Sequence, residues 1–354
     1  MTTTGRHGLE GAGEERQQVV ISSPEELIAS IPAMLGFPPE SGSVVVICGR
    51  LAGGGQGPVV RLDAPGLVDH PGPDDDPSGT DVPAMDEGLA RGLARFCARE
   101  QVAEVHLVVV HDDCADSDTA RARARETAEE IGCWLEVAGT ALATAYGVGE
   151  FSPGAAWIDL FGMEGGRQLD PDSTEIAAAY AFDGRIRARS RAEIEQLYRQ
   201  RDPGARDVDR GRRPARLRGR PAVDAAVELH EVVARRADSG EPPADEDLAA
   251  VGTALLDEAV RDEVYSRLAR AGLGDEDGRR TLWWALARRR PPRERSVALT
   301  LLGAAAYFEG SGVHARAALE AALDARPDNT LAGLLVDGLD RGLPPERLRR
   351  VAAA

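Results

Sequence analysis

The chain has 354 residues and a formal net charge of −17, which argues against a surface built as a whole to bind nucleic acid or anionic membrane, because the mean field repels polyanions. All 42 basic residues are arginine, so no P-loop lysine can reach a phosphate, no lysine can form a Schiff base and no kinase-type Lys–Glu pair can exist. Aromatic residues make up only 4% and hydrophobic residues 43%, which predicts two domains of ordinary size with cores built mainly from Ala, Val and Leu.

Residues 1–18 are polar and Gly-rich, lack the apolar centre of a secretory leader, and read as a disordered tail. Val19 to Ile21 predicts a short strand. Ser23-Pro24-Glu25-Glu26 combines an N-cap, proline at the first helical position and glutamate three residues after the cap, which predicts a helix to about Ser30. Pro32, Pro38 and Pro39 then predict an irregular crossing. Ser43 to Cys48 is a continuous apolar run, as a strand buried on both faces requires. Val59 to Asp63 is its expected return strand, reached through the Gly-rich segment 53–57, and 64–83 predicts a long exposed loop. A helix is expected over 84–101, where Leu89, Leu93, Phe96 and Cys97 share a face, and another from Ser117 or Asp118 to Ile131, closed by Gly132. Strands are expected at 104–110, 134–138, 141–146 and 155–160. Further helices are expected from Ser173 to about Phe182, and from the capping box Ser190-Arg191-Ala192-Glu193 to just before Pro203.

This alternation predicts an α/β domain over 19–200, with a mixed or parallel sheet covered by helices. The Arg-rich segment 201–220 reads as a linker. Residues 221–354 read as an all-α domain, broken at 241–243, 272–274, 291–292, 310–312, 327 and 344–345 into about six or seven helices in an antiparallel stack. Within it, Leu299, Leu302, Gly303, Ala306, Ala315, Leu319, Ala322 and Pro327 fall at tetratricopeptide spacing. A single tetratricopeptide-like hairpin is expected rather than a peptide-binding array, because an array needs about three units to bury a continuous core.

Ligands in open α/β sheets sit beyond the carboxyl ends of strands, which makes His111 and Asp113, at the end of the 104–110 strand and on one strand face, the candidate ligand-binding pair. His106 falls on the other face, so this segment alone does not build a three-ligand metal site. Cys48, Cys97, Cys114 and Cys133 fit no zinc spacing and read as reduced thiols. Segment 53–57 lies between strands and reads as a hairpin loop instead of a phosphate cradle, and Asp74 to Asp76 read as solvent-facing. Of Trp283 and Trp284, adjacent on a helix, one is expected in the core and the other at a contact surface; His230 is expected to be half-buried and not catalytic. The Arg-rich linker has no aromatic residue for stacking on bases, which disfavours nucleic-acid contact through 206–220. No motif implies a cofactor or a metal, and no stretch of about 18 apolar residues implies a membrane span, so a cytoplasmic location is expected.

Ser23-Pro24-Glu25-Glu26-Leu27-Ile28, Ile31-Pro32-Ala33-Met34-Leu35-Gly36-Phe37 with Pro39, and Ser41 with Ser43-Val44-Val45-Val46 resemble the opening signature of the family called "domain of unknown function 4192". Arg61 and Asp63 fit the strand that follows it, and Leu302 to Pro327 with Leu331, Ala332, Leu334 and Leu335 resemble the family's closing helices. The resemblance implies an actinobacterial source, which agrees with the absence of lysine. It implies no activity and transfers no site residue. Members often carry cysteines shortly after the tryptophan equivalent to Trp157; segment 158–166 here has none. The expectation is an interaction or regulatory protein whose helical half holds a partner protein or a second copy. The alternative is a small-molecule binder or enzyme using His111 and Asp113.

Overall fold

The computed structural model describes residues 3–5, 19–49, 57–64, 67, 87–182, 187–202, 217, 219–271 and 277–353. They fall into two units, Met1–Arg191 and Ala192–Ala354. Most of the predicted linker (203–216 and 218) lies outside the described residues, as do most of segment 53–57, the aspartates 74–76 and most of the tail.

In the first unit, β1 (Thr3–Gly5), which falls within the expected disordered tail, pairs antiparallel with β2 (Val19–Ile21) as a separate two-stranded sheet. The capping signal then operates as its residues require. Ser23 Oγ accepts the Glu26 N–H at 3.2 Å, and the Glu26 carboxylate accepts the Ser22 N–H at 2.9 Å. The helix they start, α1 (Pro24–Leu35), runs past the predicted stop and through Pro32 to a left-handed Gly36 at φ 84°. Every residue from Leu27 to Pro32 is buried, so tertiary packing outweighs the lost Pro32 hydrogen bond.

A six-stranded mixed sheet follows, built from β3 (Ser43–Cys48), β4 (Val59–Asp63), β5 (Glu104–Val110), β6 (Ala141–Val148), β7 (Ala156–Asp159) and β8 (Gly165–Arg167), in the order β4-β3-β5-β6-β7-β8. Among the described strands only β5 and β6 pair in parallel, and α3 (Asp118–Val137) connects them; α2 (Glu87–Glu100) precedes β5. One sheet face, carrying Val44, Val46, Cys48, Val105, Leu107, Val109 and Ala145, packs with residues of α2 and α3 into the main apolar cluster. On the opposite face Tyr146 meets Trp157 edge-on, with ring centroids 5.4 Å apart. The predicted strand at 134–138 does not exist: α3 continues through Gly132 to Val137. A Cβ on Gly132 would sit 3.1 Å from Leu142, so this glycine serves helix–strand packing and does not end the helix. The edge strand β8 had no sequence signal, being Gly-Gly-Arg. The unit also carries α4 (Glu175–Phe182).

The second unit is helical: α5 (Arg191–Arg199, starting on the last residue of the first unit), α6 (Arg220–Asp238), α7 (Asp245–Ala254), α8 (Glu258–Arg270), α9 (Asp277–Arg289), α10 (Pro292–Phe308), α11 (Gly312–Ala325), α12 (Thr330–Asp340) and α13 (Pro345–Ala353). Beyond its charged first turn helix α10 is apolar or small on all sides, and every residue from Glu294 to Phe308 is buried. It pairs with α11 at close range, because a Cβ on Gly303 would lie 2.7 Å from Leu319 Cγ. Within the hairpin read at tetratricopeptide spacing, α10 is enclosed while α11 buries one face and exposes Gly312 and Asp324.

Candidate functional site

Strand β5 delivers its last residue, Val110, to the sheet edge where β6 also ends. The His111 N–H donates to the Val148 carbonyl at 2.9 Å, which keeps His111 attached to the end of β6. The chain then turns: the His111 carbonyl accepts the Cys114 N–H at 2.9 Å, and the Asp113 carbonyl accepts the N–H groups of Asp116 and Ser117 at 3.1 and 2.8 Å. Asp113 therefore does not extend the strand and does not share a strand face with His111. The two residues meet differently: the Asp113 backbone N–H donates to His111 Nδ1 at 3.4 Å, while the Asp113 side chain is exposed.

An Nδ1 that accepts leaves the proton of a neutral ring on Nε2. His111 Nε2 is buried and has no hydrogen-bond partner among the described residues. Around it the backbone is tightly fixed. Ser41 Oγ accepts the Asp112 N–H at 3.1 Å, and a Cβ on Gly149 would fall 2.6 Å from the Asp112 carbonyl oxygen. Ser117 caps α3, accepting the Ala120 N–H at 3.3 Å, and Arg121 donates to the Ala115 carbonyl at 3.1 Å. The positive end of α3 thus opens next to the turn. Chemically, the turn offers one imidazole N–H donor and one exposed carboxylate, a binding pair without a nucleophile between them.

His106 lies on the opposite sheet face, with Nδ1 2.9 Å from Thr144 Oγ1. Burial pushes its pKa below the usual imidazole range, partly offset by Glu104, so the ring is neutral at physiological pH. Among the described residues no group of three His, Cys, Asp or Glu side chains is placed to hold a metal ion.

The helical unit contains a buried polar network that the sequence did not expose. His230 and Glu231 on α6 face Arg279 and Trp283 on α9. Trp283 Nε1 donates to His230 Nε2 at 2.9 Å, His230 Nδ1 lies 3.5 Å from Glu231 Oε1, and Arg279 donates to Glu231 Oε2 at 2.9 and 3.2 Å. Burial would raise the Glu231 carboxyl, but His230 and Arg279 together hold it at about 2. His230 is fully buried, deeper than expected, with the indole N–H on its Nε2. Trp284 is half-buried and stacks on Tyr198 of α5 at 4.9 Å, beneath Arg288, so its contact is internal to the unit. A second network, Arg290 paired through two hydrogen bonds with Glu294 four residues on, did have a signal in the i, i+4 spacing. Next to it, Arg295 donates to the carbonyls of Tyr198 at 2.6 Å, Gln200 and Ala287, at the ends of α5 and α9. Burial, with Arg201 nearby, lowers the Arg295 pKa to about 10.

The family described as domain of unknown function (DUF4192) matches residues 24–346, and the chain belongs to it. No curated protein and no solved structure matches the chain.

Proposed function

We propose that this member of the DUF4192 family is a cytoplasmic interaction or regulatory module whose helical unit binds a partner protein or a second copy. The observation that carries the reading is α12. It holds five large aliphatic side chains, Leu331, Leu334, Leu335, Val336 and Leu339, of which only Leu335 is buried; Leu334 is 63% exposed. A helix this apolar is ordinarily covered on more than one side, yet α12 leaves Leu334 exposed beside the half-buried Leu331, Val336 and Leu339. Helix α12 packs on α11 and thus lies at the edge of the α10–α11 hairpin, where a stacked helical protein would place its next helix. Among the described residues no helix is long and apolar enough to cross a membrane. The test is a photo-crosslinking residue at position 334 of the full chain in cells, combined with sedimentation of wild type and Leu334→Asp. A discrete crosslinked partner or dimer, lost in the Asp variant, supports the reading. A monomer without crosslinks overturns it.

A second reading rests on the unpartnered Nε2 of His111 at the carboxyl ends of the parallel strands, where a small polar ligand would find a donor beside the amino end of α3. A thermal-shift screen against polar metabolites tests it: a shift that His111→Ala removes supports binding there, and a shift unchanged in that variant places the ligand elsewhere.

A further inference from the structure

Strand β4 ends the six-stranded sheet with one side unpaired. It pairs with β3 alone, in a register that sets Asp63 opposite Ser43, Arg61 opposite Val45 and Val59 opposite Ile47. The Cys48 N–H donates to the Pro58 carbonyl at 3.1 Å, and the Ala64 N–H to the Gly42 carbonyl at 2.8 Å. Hydrogen bonding alternates along an antiparallel strand, so Pro58, Val60, Leu62 and Ala64 turn their backbone groups toward β3. Val59, Arg61 and Asp63 turn theirs outward, and these outward groups meet no partner among the described residues.

Free strand edges are templates for pairing, and charges along an edge protect it when a second copy would bring like charges together. Here the charges have opposite sign. Arg61 and Asp63 lie two residues apart on the sheet face away from the main apolar cluster. Arg61 Nη2 pairs with Asp63 at 2.6 Å, Arg61 Nε donates to Ser43 Oγ at 2.9 Å, and Arg191 lies 3.8 Å from Asp63, which stays exposed. On the other face Val60 and Leu62 pack against the main cluster and remain half-buried.

This pattern is self-complementary in one register. Two antiparallel copies of β4 can bond only through their outward residues, so Arg61 faces Val59, Arg61 or Asp63 of the second copy. Facing Val59 leaves both charges without an opposite, and facing Arg61 sets two guanidinium groups against each other. Facing Asp63 joins the two in-strand ion pairs into a closed square of alternating charge. The same register sets Leu62 against Leu62 of the second copy on the apolar face. That pair is not hydrogen-bonded, so its side chains approach closely.

We propose that β4 is a docking edge for a second copy of this chain: two β4 strands pair antiparallel about a two-fold axis at Leu62, joining their sheets. Arg61 of each copy exchanges main-chain hydrogen bonds with Asp63 of the other. The contact is short, so the dimer forms and dissociates with protein concentration. It makes no use of α12.

The test is hydrogen exchange at residue resolution over 58–64 in the full chain, at low and high protein concentration. The expected result is an alternating pattern. The Arg61 and Asp63 amides slow by about tenfold at high concentration, whereas Val60 and Leu62, already bonded to β3, do not change. The same slowing in Leu334→Asp separates this edge from association through α12. Arg61→Asp, which sets only carboxylates across the axis, abolishes the effect, and Arg61→Asp with Asp63→Arg restores it. The wild-type comparison needs no variant, so a poorly folding substitution does not obscure the answer. Equal exchange of Arg61 and Asp63 at both concentrations overturns the proposal, as does slowing that Leu334→Asp removes or that Arg61→Asp leaves intact.

Discussion

Trp283 donates its indole N–H to Nε2 of His230 across 2.9 Å in the core of the helical unit, joining α9 to α6 through two side chains. A buried acceptor that loses its donor keeps its desolvation penalty. Trp283→Phe therefore removes the hydrogen bond and strands the imidazole, and is expected to lower stability by about 1–3 kcal/mol beyond the effect of the smaller ring. Urea unfolding of both proteins, with the slope held equal, measures it.

Glu231 makes this network sensitive to acid. Its folded pKa of about 2 lies below the ordinary value of 4.5. A depressed carboxyl contributes stability that is full above the unfolded pKa and is lost as pH falls through the folded one. The contribution is about 3 kcal/mol, so wild type should lose that much between roughly pH 5 and pH 2. Glu231→Gln should start less stable at neutral pH and flatten this part of the curve. Parallel slopes for the two proteins would contradict the assignment.

Arg290 and Glu294 form a buried bidentate pair four residues apart. Removing one charge leaves the other unpaired, so Arg290→Met is expected to cost about 3–5 kcal/mol. Arg290→Met with Glu294→Leu should recover much of that loss. A double-mutant cycle on unfolding free energy gives the coupling directly.

Gly303 lets α10 and α11 approach closely. Gly303→Ala places a methyl 2.7 Å from Leu319 Cγ, and overpacking of this kind costs about 1–3 kcal/mol. Adding Leu319→Ala should relieve the clash, making the pair of substitutions less costly than their sum. Thermal unfolding of the three variants checks the sign.

The turn that carries His111 and Asp113 depends on Gly149. In Gly149→Ala the new Cβ meets the Asp112 carbonyl at 2.6 Å, pushing the turn away from β6. The His111 amide, held by the Val148 carbonyl, should then exchange its hydrogen about tenfold faster, which corresponds to ~1.4 kcal/mol of local stability. Hydrogen-exchange mass spectrometry over 105–115 reads the difference.

Much of this fold was legible because single residues act alone. Ser23 and Glu26 announce α1, and the apolar runs at Val44–Ile47 and Leu107–Val110 announce the two central strands, since burial on both faces leaves little room for polar alternation. What was not legible depends on partners far away in the chain. Gly132 reads as a helix stop until Leu142 is seen beneath it. Strand β8 pairs with β7 where a Cβ on Gly165 or Gly166 would meet Trp157 at 2.9 or 2.8 Å, a need for glycine that shows only once Trp157 is in place. His111 was placed at the sheet edge, but sequence could not show that its ring would bond the Asp113 backbone and leave the carboxylate exposed. His230 and Trp283 lie 53 residues apart, and no local spacing reports that they touch.

The enclosed position of α10 bears on how the protein is made. A ribosome releases α5 to α9 before α10, and α11 to α13 after it. Until those last helices emerge, the most buried helix of the unit has only part of its cover, from α7, α8 and α9. The newborn helical unit therefore passes through a stage that exposes the surface most prone to sticking. Chains truncated within α11 should persist in that state and collect in the insoluble fraction, however well the earlier sheet has folded.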